Sequence, residues 1–272
     1  MIGLDYFNST RDRVRSAVRR CVARFAHGIL AGIMAGSAVH ACDKPVYLTL
    51  DTGGMQSASL IAEILNKHGV KATFFIAHEK TFRGDYVLDD SWADYWRARV
   101  REGHAFGSHT WRHGRILSGS GDVIRYRPQH HEDAGRVVGM TPQQFCQEWQ
   151  RVNRRFSEIT GRALDPIWRA PGGYTSPRSM AAAQSCGWRH VHWHPAGFLG
   201  DELPSDRYPN QMLLDRALRD IRAGDVLMAH LGIWSRAQPY APMLDPLIAG
   251  LKSRGFCFMP IGPATALPKG LS

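Results

Sequence analysis

None of the five cysteines in this 272-residue chain falls in a CxxC spacing, which argues against a zinc-thiolate site. There is no internal repeat, no low-complexity tract and no linker, so one globular domain of catalytic size is the natural reading. Long apolar runs are also missing. The stretch from Phe25 to Ala41 is short, rich in glycine and broken by His27 and His40, which is too little for a membrane span. Acidic residues are the scarcer charge, 24 Asp and Glu against 34 Lys and Arg, for a formal charge of +10. That excess would suit a polyanion, but no nucleic-acid motif accompanies it, and arginine-rich stretches such as Arg151 to Arg155 read as one solvated helix face. With 44% hydrophobic and 21% charged residues the chain can bury a full core, which excludes disorder, collagen and a disulfide-knotted miniprotein.

The first 41 residues carry six arginines against Asp5 and Asp12, so much of the positive charge sits there. A basic region, then an apolar run, then the small-x-small ending Val39-His40-Ala41 describe a secretory signal cut before Cys42. A buried or anchoring N-terminal helix is the other reading of that segment, because the basic region is long for a signal; a misassigned start codon would explain the length. The protein is therefore expected to be exported to the periplasm or cell envelope. Val39-His40-Ala41-Cys42 also resembles a bacterial lipoprotein cleavage site, which would make Cys42 a lipid anchor and the only membrane contact besides the leader. Without Cys21, four cysteines remain (Cys42, Cys146, Cys186 and Cys257); one or two disulfides are allowed, but their pairing is not readable.

From Pro45 onward extended apolar segments alternate with helical patterns. Strands are expected at Val46 to Asp51, 72–77, His104 to His109, Pro166 to Arg169, Arg189 to Trp193, Val226 to His230 and Phe256 to Pro260. A helix over Ser57 to His68 has its apolar side at Leu60, Ile61, Ile64 and Leu65 and stops at Gly69; another lies around Trp92 to Glu102. Thr141-Pro142-Gln143-Gln144 reads as a capping box opening a helix that ends at Gly161, and further helices start near Ser176-Pro177, Asn210 and Met243. About seven β/α units predict an α/β fold with a parallel sheet, most economically a barrel. Segments 115–140 and 195–209 look irregular and are candidate rims of a substrate groove. Chemistry in such folds collects at the carboxyl ends of strands, where this chain carries Asp51, His109, Arg169, His194 and His230.

His109 and His113, in SHTWRH, lie four apart where the chain turns and can converge on one divalent metal. Alone, HxxxH is a weak signal among 13 histidines. Asp51 closes LTLDTGG, whose glycines permit a tight turn against a ligand. RAPGGY, from Arg169 to Tyr174, fixes an unusual loop whose amides could face an oxyanion, with Arg169 able to hold a carboxylate by paired hydrogen bonds. His230 ends VLMAH, where an imidazole can exchange protons near neutral pH.

Together these pieces resemble the polysaccharide deacetylases with a NodB homology domain, carbohydrate esterase family 4, over roughly residues 45 to 262. The family's TFDDG is matched by Thr49-Leu50-Asp51-Thr52-Gly53, its H-[ST]-x-x-H by His109 to His113, its R-x-P-x-[GY] by Arg169 to Tyr174, and its L-x-L-x-H by Val226 to His230. The resemblance implies a distorted (β/α)7 barrel over residues 42–272 and a hydrolase that removes the N-acyl or O-acyl group of an amino sugar in an envelope or extracellular glycan. It implies that His109 and His113 hold a divalent metal, with zinc expected and cobalt or nickel as alternatives. By the same resemblance Asp51 is the base that deprotonates water, His230 protonates the departing amine, and Arg169 belongs to the catalytic set. A backbone amide near Tyr174 joins the oxyanion site, with Pro171, Trp193 and Leu227 in contact with substrate.

Two departures stand out. The family's second aspartate, its third metal ligand, is Thr52 here, so a substitute is needed: Asp51 itself, water, or a carboxylate from Glu79, Asp85, Asp201 or Glu202. The fourth motif, whose aspartate orients the acidic histidine, is absent; Trp193 would supply only an apolar wall, and Asp201 is a candidate displaced partner. The Thr52 change keeps two alternatives in view: a deformylase-like or allantoinase-like hydrolase of a small or lipid-linked substrate, and a glycan-binding relative that lost turnover.

Overall fold

The computed structural model describes residues 42–118 and 122–267. The expected leader, with its cleavage signal, lies outside these residues.

VYLTLD is apolar on both faces, the pattern of a strand covered on two sides. It forms β1 (Pro45–Asp51), buried from Val46 onward. It is followed by α1 (Ala58–His68), β2 (Thr73–Ile76), α2 (Ala93–Arg101) and β3 (Ala105–Ser108). In α1 the inward side chains are Ala58, Ile61, Ala62, Ile64 and Leu65, whereas Leu60, expected on that stripe, is exposed. Gly69 takes the left-handed conformation (φ 62°) that ends the helix.

Next come β4 (Arg115–Ile116), β5 (Ile124–Arg127) and β6 (Val138–Met140), a three-stranded antiparallel sheet in the segment expected to be irregular. The signal was present in Ile-Arg-Tyr-Arg, where Ile124 and Tyr126 point inward and Arg125 and Arg127 outward, but it is only four residues long. α3 (Pro142–Thr160) opens on the expected capping box, with Thr141 Oγ1 accepting from Gln144 N, and closes at Gly161 (φ 77°). Arg151 and Arg155 on this helix reach Glu132 and Asp90, so they tie loops to the helix rather than forming a free basic face.

The chain continues through β7 (Ile167–Trp168), α4 (Pro177–Ser185), β8 (Arg189–His190), α5 (Asn210–Asp220), β9 (Val226–His230), α6 (Leu244–Ser253) and β10 (Cys257–Phe258). Seven strands form one parallel sheet: β1 pairs with β2, β9 and β10, and the ladder runs on from β2 through β3 and β7 to β8. This is the distorted (β/α)7 barrel. β8 is shorter than expected because the chain leaves β7 after Val191 and turns to pair with β9. Val191 N still donates to Trp168 O, but His194 N donates to Val226 O, and Phe198 then pairs with Met228. The segment after β8 therefore spans the gap to β9. Inside, Leu48, Leu50, Phe74, Phe106, Phe156 and Leu227 belong to the main core.

Cys42 is bonded to Cys257 and Cys146 to Cys186, which resolves the pairing left open by the sequence. The first bond engages the same Cys42 thiol that a lipid anchor would use. No helix among the described residues is long and apolar enough to cross a membrane.

Candidate active site

Parallel pairing brings the first groups together. Asp51 is the direct neighbour of His230 across the β1–β9 ladder, so both side chains emerge at the same sheet edge. His109 extends β3, its N–H donating to Ile76 O, and Arg169 extends β7, its N–H donating to Ser108 O. The loop after Asp51 is tight: Gly53 has φ 72°, and a Cβ there would lie 2.3 Å from Gly232 O.

Asp51 is 2% exposed and Arg169 fully buried; Arg169 Nη1 donates to Asp51 Oδ1 at 2.8 Å and to Thr49 Oγ1 at 2.7 Å, while Nε donates to Val191 O. Arg169 thus grips the carboxylate through one nitrogen, not by the paired bonds expected. Burial alone would raise the Asp51 pKa, but Arg169, His109 and His230 outweigh it and hold the carboxyl below its ordinary range. His109 places Nδ1 2.9 Å from Arg169 O, which fixes the N–H there and leaves a lone pair on Nε2, 3.6 Å from Asp51 Oδ2. Burial pushes His109 down to about 4, so its ring is neutral at physiological pH.

The HTWRH backbone is strained, with Thr110 at φ 67° and His113 at φ 45°. A buried network secures it. Glu148 accepts from Arg112 N at 3.0 Å and Arg112 Nε at 2.9 Å, and the Tyr126 hydroxyl lies 3.0 Å from both Glu148 Oε2 and Thr110 Oγ1. The turn brings the His109 and His113 rings to 4.8 Å between centroids.

Of the substitute carboxylates, two reach this turn: Asp51, whose Oδ2 faces His109, and Glu79, which faces His113. Thr52 Oγ1 donates to Glu79 Oε1 at 2.5 Å, Gly53 N donates to the same oxygen at 2.7 Å, and Glu79 Oε2 lies 3.9 Å from His113 Nδ1. Donor atoms of Glu79, His113 and His130 all lie within 4.8 Å of one another. His130 was not anticipated: its only signal was the pair His130-His131 in a segment taken as a rim. Asp85 is bound instead by Thr81, Ser91 and Trp92. Asp201 is engaged by His230, whose backbone N–H donates to Oδ2 at 2.7 Å and whose Nδ1 is 3.1 Å from Oδ1; Glu202 lies beside it. Burial works against charge on His230, but Asp201, with Asp51 and Glu202, lifts its pKa to about 9. A cleft of about 190 Å³ opens beside His230 and Asp201, lined also by Gly232, Trp234, Arg236 and Tyr240.

The remaining candidates divide. Trp193 stands over the RAPGGY loop, its ring 5.6 Å from the Arg169 guanidinium, and a Cβ on Gly173 (φ 73°) would meet it at 2.7 Å. Pro171 is buried in that loop, and Tyr174 is exposed, its ring 3.8 Å from the Arg115 guanidinium. Leu227 is enclosed in the core below His230. His194 is not part of the convergence. Because the chain has crossed to the start of β9, its Nδ1 lies 3.3 Å from Asp225, at the opposite end of that strand from His230.

The sequence profile of the family described as Polysaccharide deacetylase matches residues 38–191. The chain belongs to the polysaccharide deacetylase family. It is thus a polysaccharide deacetylase-like hydrolase, of the class acting on carbon–nitrogen bonds other than peptide bonds. Among its relatives, an uncharacterised 30.6 kDa protein of Geobacillus stearothermophilus is 27% identical over 216 residues, covering 79% of this chain and 68% of that one. The peptidoglycan-N-acetylmuramic acid deacetylase PdaA of Bacillus subtilis is 24% identical, covering 80% of this chain and 70% of that one. In fold, the deacetylase resembles a family 4 acetyl xylan esterase from Clostridium thermocellum solved with a cobalt ion. The TM-score is 0.59 at 24% identity, over 80% of this chain and 88% of that one.

Proposed function

We propose that the protein is an exported, metal-dependent deacetylase that hydrolyses the N-acyl group of an amino sugar in a cell-envelope glycan. The observation carrying this reading is the meeting of Asp51 and His230 on adjacent strands, one held anionic and the other cationic, beside the HTWRH turn. The similarity to a peptidoglycan deacetylase supports the glycan class.

The donors suit a divalent cation: His109 offers a neutral Nε2 with its other nitrogen tied to a backbone carbonyl, and His113 lies alongside with Glu79 and His130. Bound there, the cation supplies Lewis acidity that makes hydroxide available near neutral pH and offsets charge on the carbonyl oxygen. Asp51 accepts the proton of the attacking water as its oxygen bonds to the acyl carbon. Arg169 keeps that carboxylate oriented. The Tyr174 N–H, whose bond to Pro171 O is long at 3.5 Å, is the backbone donor for the carbonyl oxygen. When the carbon–nitrogen bond breaks, His230 gives the nitrogen its Nε2 proton while Nδ1 stays on Asp201, leaving a free amine and the carboxylic acid. Trp193 forms an apolar wall.

Thr52, standing at a carboxylate position of the motif, favours one second reading, a glycan-binding relative without turnover. Acetate release from acetylated chito-oligosaccharides separates the two. The raised pKa of His230 means its proton is present through neutral pH and lost above about 9, so kcat/KM is expected to fall on the alkaline side of about pH 9. Glycan binding without acetate release at any pH would favour the second reading.

A further inference from the structure

The first motif lacks its second carboxylate, yet Thr52, at that position, is hydrogen-bonded to one. Glu79 follows β2, the neighbour of β1, and leans across to the end of β1. Thr52 makes this possible: its hydroxyl accepts from Ala77 N at 3.1 Å and donates to Glu79 Oε1 at 2.5 Å. With Gly53 N also on Oε1, that oxygen is committed, and Oε2 is turned toward His113. Glu79 is 5% exposed and forms no ion pair with lysine or arginine among the described residues; the His113 imidazole lies 3.9 Å from its Oε2. Two donated hydrogen bonds satisfy Oε1 of this buried carboxylate, and Oε2 is the oxygen it can offer to a cation.

His130 comes from a separate segment. It sits on the loop between β5 and β6, where its backbone N–H donates to Arg112 O, inside the HTWRH turn itself. One oxygen and two imidazoles from three separate segments therefore gather with all pairs of donor atoms within 4.8 Å. Tetrahedral zinc with bonds of about 2.0–2.1 Å needs such donors roughly 3.3 Å apart, a closure that side-chain rotation can supply. Three protein donors would leave one position open, as a hydrolytic site requires.

We infer that Glu79, His113 and His130 form the donor set for one divalent cation, with Glu79 replacing the carboxylate absent at Thr52 and Thr52 acting as its positioning residue. This rests on the metal-dependent reading above and adds two ligands, Glu79 and His130, that the family motifs do not include. His109, whose ring lies beside that of His113, adjoins the set on the Asp51 side.

The test is zinc titration by calorimetry on the chelator-stripped full chain, with circular dichroism to verify folding. Wild type is expected to take up one zinc. Glu79→Gln and His130→Ala are each expected to weaken binding at least tenfold, and Thr52→Val to weaken it less, because it removes only the anchor of Oε1. His130 is half-buried on a loop, so its variant stays informative should Glu79→Gln fold poorly. One zinc per chain in wild type with unchanged affinity in both ligand variants would overturn this ligand set and leave the deacetylase reading standing. No zinc uptake by wild type would overturn both.

Discussion

An Asp51→Asn variant is expected to lose about 10²- to 10⁴-fold in kcat/KM on an acetylated chito-oligosaccharide, the range that a general base contributes. The side chain keeps its shape and an oxygen for Arg169, but it can no longer accept a proton. The same change has a second consequence. Asp51 and Arg169 form a pair in which neither partner is more than 2% exposed, and removing one charge from such a pair costs about 3–5 kcal/mol, because the other is left buried without compensation. Loss of turnover should therefore come with a lower unfolding midpoint in urea, whereas zinc uptake should persist, since Asp51 lies outside the proposed donor set. A variant that turns over at the wild-type rate would remove Asp51 from the mechanism.

His230→Ala is expected to lower kcat by about 10²- to 10⁴-fold while leaving zinc affinity unchanged, because the imidazole acts on the leaving amine rather than on the cation. A structural role alone could mimic that loss, so its partner provides the sharper readout. Asp201 is the main influence raising His230 to about 9 against the opposing effect of burial. Asp201→Asn removes that influence, so the imidazole pKa should fall toward the ordinary value of about 6.5 and the alkaline limb of kcat/KM should move down with it. An alkaline limb that stays near pH 9 in Asp201→Asn would show that some other group sets it.

The sequence carried most of the barrel because parallel strands covered on both faces read as short apolar runs, as VYLTLD and VLMAH do, and because the helices are punctuated by caps such as Thr141 and Gly161. It carried less where structure depends on pairing between distant segments. The β4–β6 sheet is built from strands of two to four residues, too short for a period to declare itself. His194 looked like another strand-end histidine, but after β8 the chain pairs with the start of β9, and only the geometry reveals that this puts it at the wrong end.

The site divides along the same line. Asp51, His109, His113, Arg169 and His230 each terminate or follow a strand, so their order along the chain pointed to one edge of the sheet. Besides Asp51 itself, four carboxylates were open as substitutes for the one missing at Thr52, and distance along the chain could not choose among them. Choosing needs the contact between Thr52 and Glu79 across the β1–β2 ladder, while Asp201 proves to be committed to His230. His130 was hidden for a further reason: it belongs to no motif and reaches the turn only through the folding of the 115–140 segment.

The most direct measurement is acetate release from an acetylated glycan by the chelator-treated protein before and after zinc is restored. Release that disappears on chelation and returns with one equivalent of zinc per chain is the expected result. Absence of release under both conditions, with the glycan still bound, would contradict the assignment of a metal-dependent deacetylase.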